Sequence, residues 1–219
     1  MTRWATFDCY GTLVDWEGGI GGELARLFGD EQRAELLARY HELEPELQRG
    51  GAISYREVMA RALEALAQEQ DRDLPDSERD ALGRSLPSWH VFPEVREALA
   101  EARRRGWRLA ILSNSDSDLI AASIASLGVR IDVVVVAGEI GSYKPAHAHW
   151  RVFFDSTRAP RDRHVHVAAS LFHDIAPANE LGLRSVWINR LDEPAGPEPT
   201  RELADLARLP DVLDELVSA

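Results

Sequence analysis

A chain of 219 residues, 45% hydrophobic and 28% charged, is long enough to bury a sizeable core in one or two domains. Its 37 acidic against 25 basic residues give a net charge of -12, which argues against nucleic acid or an anionic membrane as partner. The single cysteine excludes an internal disulfide and fits a reducing compartment, and without a long apolar segment or a signal peptide a cytoplasmic protein is expected.

The chain opens on a short apolar strand, Trp4 to Phe7, that delivers Asp8 at its end, with Gly11-Thr12 forming a turn just beyond. Ligands of α/β sheets bind beyond the carboxyl ends of strands, so Asp8 is placed for chemistry. Cys9 should point to the opposite side and act as a small core residue. Gly18-Gly19-Ile20-Gly21-Gly22 lacks the Lys-Ser/Thr of a phosphate loop and reads as a flexible entry to a helical segment. From about Trp16 to Trp89 no strand pattern occurs, and residues 23–28, 34–47 and 55–68 carry apolar side chains at helical intervals. Pro45 should bend or interrupt the second of these helices. Residues 75–78 read as a turn into another helix, and residues 87–93 as a boundary.

Beyond Glu94, helices and strands alternate. Helices are expected at 95–105 (closed by Gly106), 116–127 (closed by Gly128), 146–156, 174–181 and 211–217. Strands are expected at 107–112, 132–137, 164–168 and 185–188; Val133 to Val136 is apolar on both faces, as in a buried parallel strand. Residues 191–199 read as a surface loop. The alternation indicates a parallel sheet covered by helices on both faces.

Four blocks carry a family resemblance. Asp8-x-Tyr10-Gly11-Thr12 resembles the first motif of the haloacid dehalogenase superfamily, in the form used by type II (S)-2-haloacid dehalogenases. Ile111-Leu112-Ser113-Asn114, Gly141-Ser142-Tyr143-Lys144-Pro145 and Val167-Ala168-Ala169-Ser170-Leu171-Phe172-His173-Asp174 come after it in the order that superfamily requires. The resemblance implies an α/β fold: a Rossmann-like core of residues 1–15 and 91–219, with residues 16–90 inserted as a helical cap.

It also implies roles. Asp8 attacks the carbon bearing the halogen, expels halide with inversion and leaves an aspartyl ester for water to hydrolyse. Lys144 keeps Asp8 ionised and stabilises charge on the ester carbonyl. Thr12 belongs to the same catalytic set. Ser113 and Asn114 offer short donors to a carboxylate or halide. Asp174 positions Lys144 and the water, or binds Mg²⁺ with Asp8 and the Tyr10 carbonyl. Arg39 holds a place similar to the cap arginine that receives halide in the dehalogenases, the alternative being an arginine on an exposed helix face. Tyr10 and His173 complete the substrate-binding set. His147-Ala148-His149 and His164-Val165-His166 lack further ligands at metal spacing and read as surface or strand-face histidines.

The sequence departs from both better-known branches of the superfamily. A phosphatase uses a general acid two residues beyond its nucleophile, where Tyr10 stands and is a poor substitute. A dehalogenase usually has a serine and an asparagine where Ala169 and Leu171 stand, and a tyrosine at Trp150. The leading expectation is therefore metal-independent hydrolysis of a small anionic 2-haloacid, the S enantiomer by resemblance. A Mg²⁺-dependent phosphatase of a small phosphorylated metabolite and a catalytically weak binding relative stand as alternatives. A homodimer is compatible with the resemblance.

Overall fold

The computed structural model describes residues 2–51, 53–194 and 196–219. Its strands are β1 (Arg3–Phe7), β2 (Trp107–Ser113), β3 (Val133–Val136), β4 (His164–Ala168), β5 (Arg184–Ile188) and β6 (Arg201–Leu203). Among the described residues these six form one sheet in the order β3-β2-β1-β4-β5-β6, parallel throughout. β1 is buried at all five positions and central, with Phe7 opposite Ile111 on one side and Val167 on the other. Asp8 therefore emerges at the carboxyl edge, between the ends of β2 and β4.

Side chains alternate across the sheet, as the two-residue period of a strand requires. Ala5, Phe7, Leu109, Ile111, Val165 and Val167 pack into the larger core, which includes α5 (Val95–Arg104), α6 (Ser117–Leu127) and the closing helix. Trp4, Ala110, Leu112 and Val135 face the other way, onto Trp150 and Phe153 of α8 (Ala148–Thr157) and Ala178 of α9 (Ala176–Glu180). Short α7 (Ala137–Ile140) precedes α8, a single π turn at Leu171–Ile175 leads into α9, and α10 (Leu209–Leu216) closes the chain.

Between β1 and α5 the chain is helical: α1 (Trp16–Phe28), α2 (Arg33–Gln48), α3 (Tyr55–Glu69) and α4 (Ala81–Ser85). This insertion is the cap over the carboxyl edge of the sheet. Asp15 caps α1, its carboxylate accepting from Gly18 N at 2.8 Å. α3 starts on Ser54, which accepts from Glu57 N at 3.2 Å.

Several expectations need correction. The glycine run is no flexible entry but the first half of α1; a side chain at Gly19 would come within 2.3 Å of the Trp89 ring, so the glycine permits close packing. Pro45 does not interrupt α2, which continues to Gln48. Its missing N–H strips one partner, the His41 carbonyl, near an end where carbonyls already lack intrahelical partners. β3 is an edge strand rather than a doubly buried one, with Val134 36% exposed. β6 was not expected, because Arg201-Glu202-Leu203 is too short and too polar to show alternation.

Candidate active site

Asp8 is fixed through both its backbone and its side chain. Its N–H donates to Val167 O at 3.0 Å, continuing the ladder one residue past β1. Gly11 then turns the chain with φ +84°, a conformation that a side chain would resist. That turn brings Thr12 back, and its hydroxyl donates to Asp8 Oδ2 at 2.9 Å while its oxygen accepts from Ala169 N at 2.9 Å.

Lys144 reaches the same point from the loop after α7. Its Nζ donates to Asp8 Oδ1 at 2.9 Å, to Asp174 Oδ1 at 2.6 Å and to the Leu112 carbonyl at 2.9 Å, which uses all three protons. The side chain is fully buried, and the two carboxylates outweigh the cost of burying a lysine and hold its pKa above the ordinary value. One ammonium is thus shared by two carboxylates, and the two differ. Burial alone would raise Asp174, but Lys144 and His166 outweigh it and hold that group well below the usual carboxylate range. Asp8 has no imidazole beside it; burial, reinforced by the negative Asp174, leaves its pKa raised.

His166 belongs to the site, although its sequence context marked it only as a strand-face residue. Its Nε2 donates to Asp174 Oδ1 at 2.9 Å. A carboxylate only accepts, and in the neutral ring that leaves Nδ1 to accept from the Thr6 hydroxyl, 2.8 Å away. The Thr6 oxygen then accepts from His164 Nε2 at 2.8 Å. Burial pushes His164 well below its ordinary pKa, so the relay ends on an uncharged ring whose Nδ1 has no partner among the described residues. His164 and His166 are therefore strand-face residues, as expected. His149 is buried too and meets the Ser113 carbonyl at 3.1 Å, while His147 lies outside, 2.8 Å from Glu180.

The donors around this centre divide. Asn114 does not present a free amide: its Oδ1 accepts from Lys144 N at 2.6 Å, and its Nδ2 donates to Lys144 O at 3.0 Å and to Gln48 of α2 at 3.2 Å. It clamps the lysine and ties core to cap. Ser113 Oγ and Asp174 Oδ2 are both buried without a partner among the described residues, and both residues line the cavity. The Tyr10 hydroxyl is turned away to Ser123 at 3.0 Å, its ring stacks on Tyr55 with centroids 6.4 Å apart, and burial drives its pKa up. His173 lines the cavity as expected, and burial lowers it to about 4.

These groups open on a cavity of about 620 Å³ between the sheet edge and the cap. Cap residues Trp16, Glu17, His41, Glu44, Gln48 and Tyr55 form its far wall. Arg39 is not among them, which corrects its expected place. It lies on the outer face of α2, paired with Glu69 at 2.9 Å and Glu42 at 2.7 Å. Helix geometry explains this: Glu44 and Gln48 face inward one turn apart, and at about 100° per residue Arg39 falls on another face. Glu44 was missed because a lone glutamate in a charged helix gives no sequence signal. Arg190 was missed in the same way; it reaches the cavity from beyond β5, stacked over Phe92 at 3.6 Å and bonded to the Thr12 carbonyl at 2.9 Å.

Residues 2–182 match the family model of the haloacid dehalogenase-like hydrolases. A phosphoserine phosphatase of Thermus thermophilus is 30% identical over 82% of this chain and 72% of its own length. An (S)-2-haloacid dehalogenase of Pseudomonas sp. strain YL is 26% identical over 95% of this chain and 93% of its own. The solved structure of L-2-haloacid dehalogenase from Xanthobacter autotrophicus superposes with a TM-score of 0.85, covering 100% of both chains at 18% identity, a likeness of fold.

Proposed function

The chain belongs to the haloacid dehalogenase-like hydrolase family, and from that footing we propose that it is a metal-independent hydrolytic dehalogenase of 2-haloalkanoic acids. In this reading residues 1–15 and 91–219 form the catalytic core and residues 16–90 the cap that encloses the substrate. An Asp8 oxygen attacks C2, the carbon–halogen bond breaks with inversion, and halide leaves with the bonding pair. Lys144 holds Asp8 ionised and then stabilises the oxyanion formed when water attacks the ester carbonyl. Asp174 Oδ2 has no protein partner among the described residues and accepts a hydrogen bond from that water. Cleavage of the ester returns the Asp8 carboxylate; one proton of the water ends on the product hydroxyl and the other leaves to solvent. Ser113 Oγ is the free donor for the substrate carboxylate.

The observation that carries this reading is Tyr10. Its hydroxyl is engaged with Ser123 and its pKa is raised, so the position two residues beyond the nucleophile supplies no acid for an oxygen leaving group. Halide needs none.

The second reading is a Mg²⁺-dependent phosphatase of a small phosphorylated metabolite. Asp8, the Tyr10 carbonyl and Asp174 are the groups that would hold the ion, and the unpartnered Asp174 Oδ2 fits a ligand's place. Bound there, Mg²⁺ would neutralise phosphoryl charge. A screen of 2-haloacids and phosphate esters, with and without EDTA, separates the readings. Halide release that survives EDTA is expected; phosphate release abolished by EDTA selects the phosphatase, and turnover of neither class selects a binding relative.

A further inference from the structure

We infer that the cap half of the cavity binds an ammonium group of the substrate, held by the Glu44 carboxylate beside the rings of Tyr10, Trp16 and Tyr55. The reacting molecule then carries an amine beyond the carbon that Asp8 attacks. This rests on the aspartate-nucleophile reading of the site and extends it to the substrate's far end.

Size comes first. At ~30 Å³ per water-sized group, a three-carbon haloacid of six non-hydrogen atoms fills about 180 Å³. The cavity holds about 620 Å³, so most of it lies beyond such a molecule.

Charge comes next. Besides Asp8 and Asp174, the lining includes Asp15, Glu17, Glu44 and Glu193. Its two permanent cations belong to the core side: Lys144 has spent its three protons, and Arg190 pairs with Glu94 through Nη2 while its Nε has no partner among the described residues. His41 is taken by Glu17 at 2.9 Å, which leaves Glu44 without a cationic partner among the described residues of the cap wall. No cation on this wall, among the described residues, is free to receive an anion.

Glu44 itself is built as a receptor. It is 9% exposed, and its Oε1 accepts from Tyr55 at 2.7 Å and Tyr40 at 3.4 Å. Tyr55 is oriented in turn by Trp16 Nε1 at 3.1 Å. Oε2 has no hydrogen-bond partner among the described residues, and Glu44 lies on the cavity wall. A buried carboxylate without a cation is costly unless a partner supplies one. Burial accordingly pushes Glu44 up to about 7, and an arriving ammonium restores the ionised form. Asp8 and Glu44 line the same cavity, one from the sheet edge and the other from the cap. Aromatic faces around a carboxylate suit an ammonium better than a hydroxyl.

Calorimetric titration of the full-length protein with butylammonium and its neutral counterpart 1-butanol tests this without any chemical step. Butylammonium should bind at least about tenfold more tightly than butanol, and Glu44→Gln should erase that preference. Butanol binding as tightly as butylammonium in the unmodified protein overturns the inference, as does an unchanged ammonium preference in a folded Glu44→Gln protein. The wild-type comparison stands even if the variant fails to fold. Halide release is read separately. Its absence beside an intact ammonium preference sinks the dehalogenase reading alone, and its presence without an ammonium preference sinks only the ammonium site.

Discussion

His166 donates to the same Asp174 oxygen that accepts from Lys144, at 2.9 and 2.6 Å, which leaves the other Asp174 oxygen, on the cavity side, without a partner among the described residues. One oxygen is saturated so that its twin stays free in a fixed direction. We expect this to matter most in the second half of the reaction, when water attacks the ester. In His166→Phe the Asp8 ester should accumulate, visible as a mass increase on the Asp8 peptide after quenching. His166→Gln, which keeps a donor, should recover part of the hydrolysis rate. Ester formation slowed as much as ester hydrolysis would show that His166 only supports the fold.

Asp8→Asn should abolish halide release, since an amide is a far poorer nucleophile, and should also raise Tm. The sign comes from the raised pKa: an acid titrating higher in the folded than in the unfolded state loses stability as pH rises through its folded value. At neutral pH, ionised Asp8 is therefore a burden on the fold. Removing it should raise Tm, each kcal/mol gained being worth roughly 2–4 °C for a chain of this length. A lower Tm in the variant contradicts the raised Asp8 pKa. In the wild type, the acid limb of the pH–rate profile should lie above the ordinary value of 3.8.

Glu44 should tilt stability with pH. Its ordinary value is 4.5 and burial raises it to about 7, so the folded state holds a proton that the unfolded state releases across that window. Stability should be full below 4.5 and fall as pH climbs to about 7. The Tm profile of Glu44→Gln should be flatter there than that of the wild type; parallel profiles would mean that Glu44 ionises normally.

Arg39→Ala should leave turnover within about twofold of wild type, because an exposed guanidinium paired with Glu69 and Glu42 touches nothing in the cavity. A large fall in halide release would mean that the cap rearranges to bring Arg39 inward.

Much of this was legible in the sequence, and the boundary is physical. Asp8 and Ser113 could be found at strand ends, where local pattern and position in the sheet agree, whereas Thr12, Lys144 and Asp174 were legible through the motifs that carry the family resemblance. Arg39 was misplaced because counting residues along a chain fixes no helix face; a shift of one residue turns a side chain by about 100°. His166 was passed over because its partner Asp174 is eight residues away and Thr6 lies on another strand, so only strand pairing reveals the relay. β3 looked central because four valines carry no information about which strand lies beside them.

The sheet order has a consequence for how the protein comes to exist. Of the six strands β1 is synthesised before the others, yet it pairs residue 3 with residue 107 and residue 4 with residue 164. During synthesis the whole helical cap must be extruded before the nucleophile's strand finds either neighbour. Loop closure over such spans slows folding and leaves an apolar strand edge open meanwhile. The short, half-polar β1 of five residues, flanked by Thr2 and Asp8, limits that exposure. The nascent chain thus carries its most reactive element unpaired for longest, and the catalytic centre can be assembled only after β4 has left the tunnel.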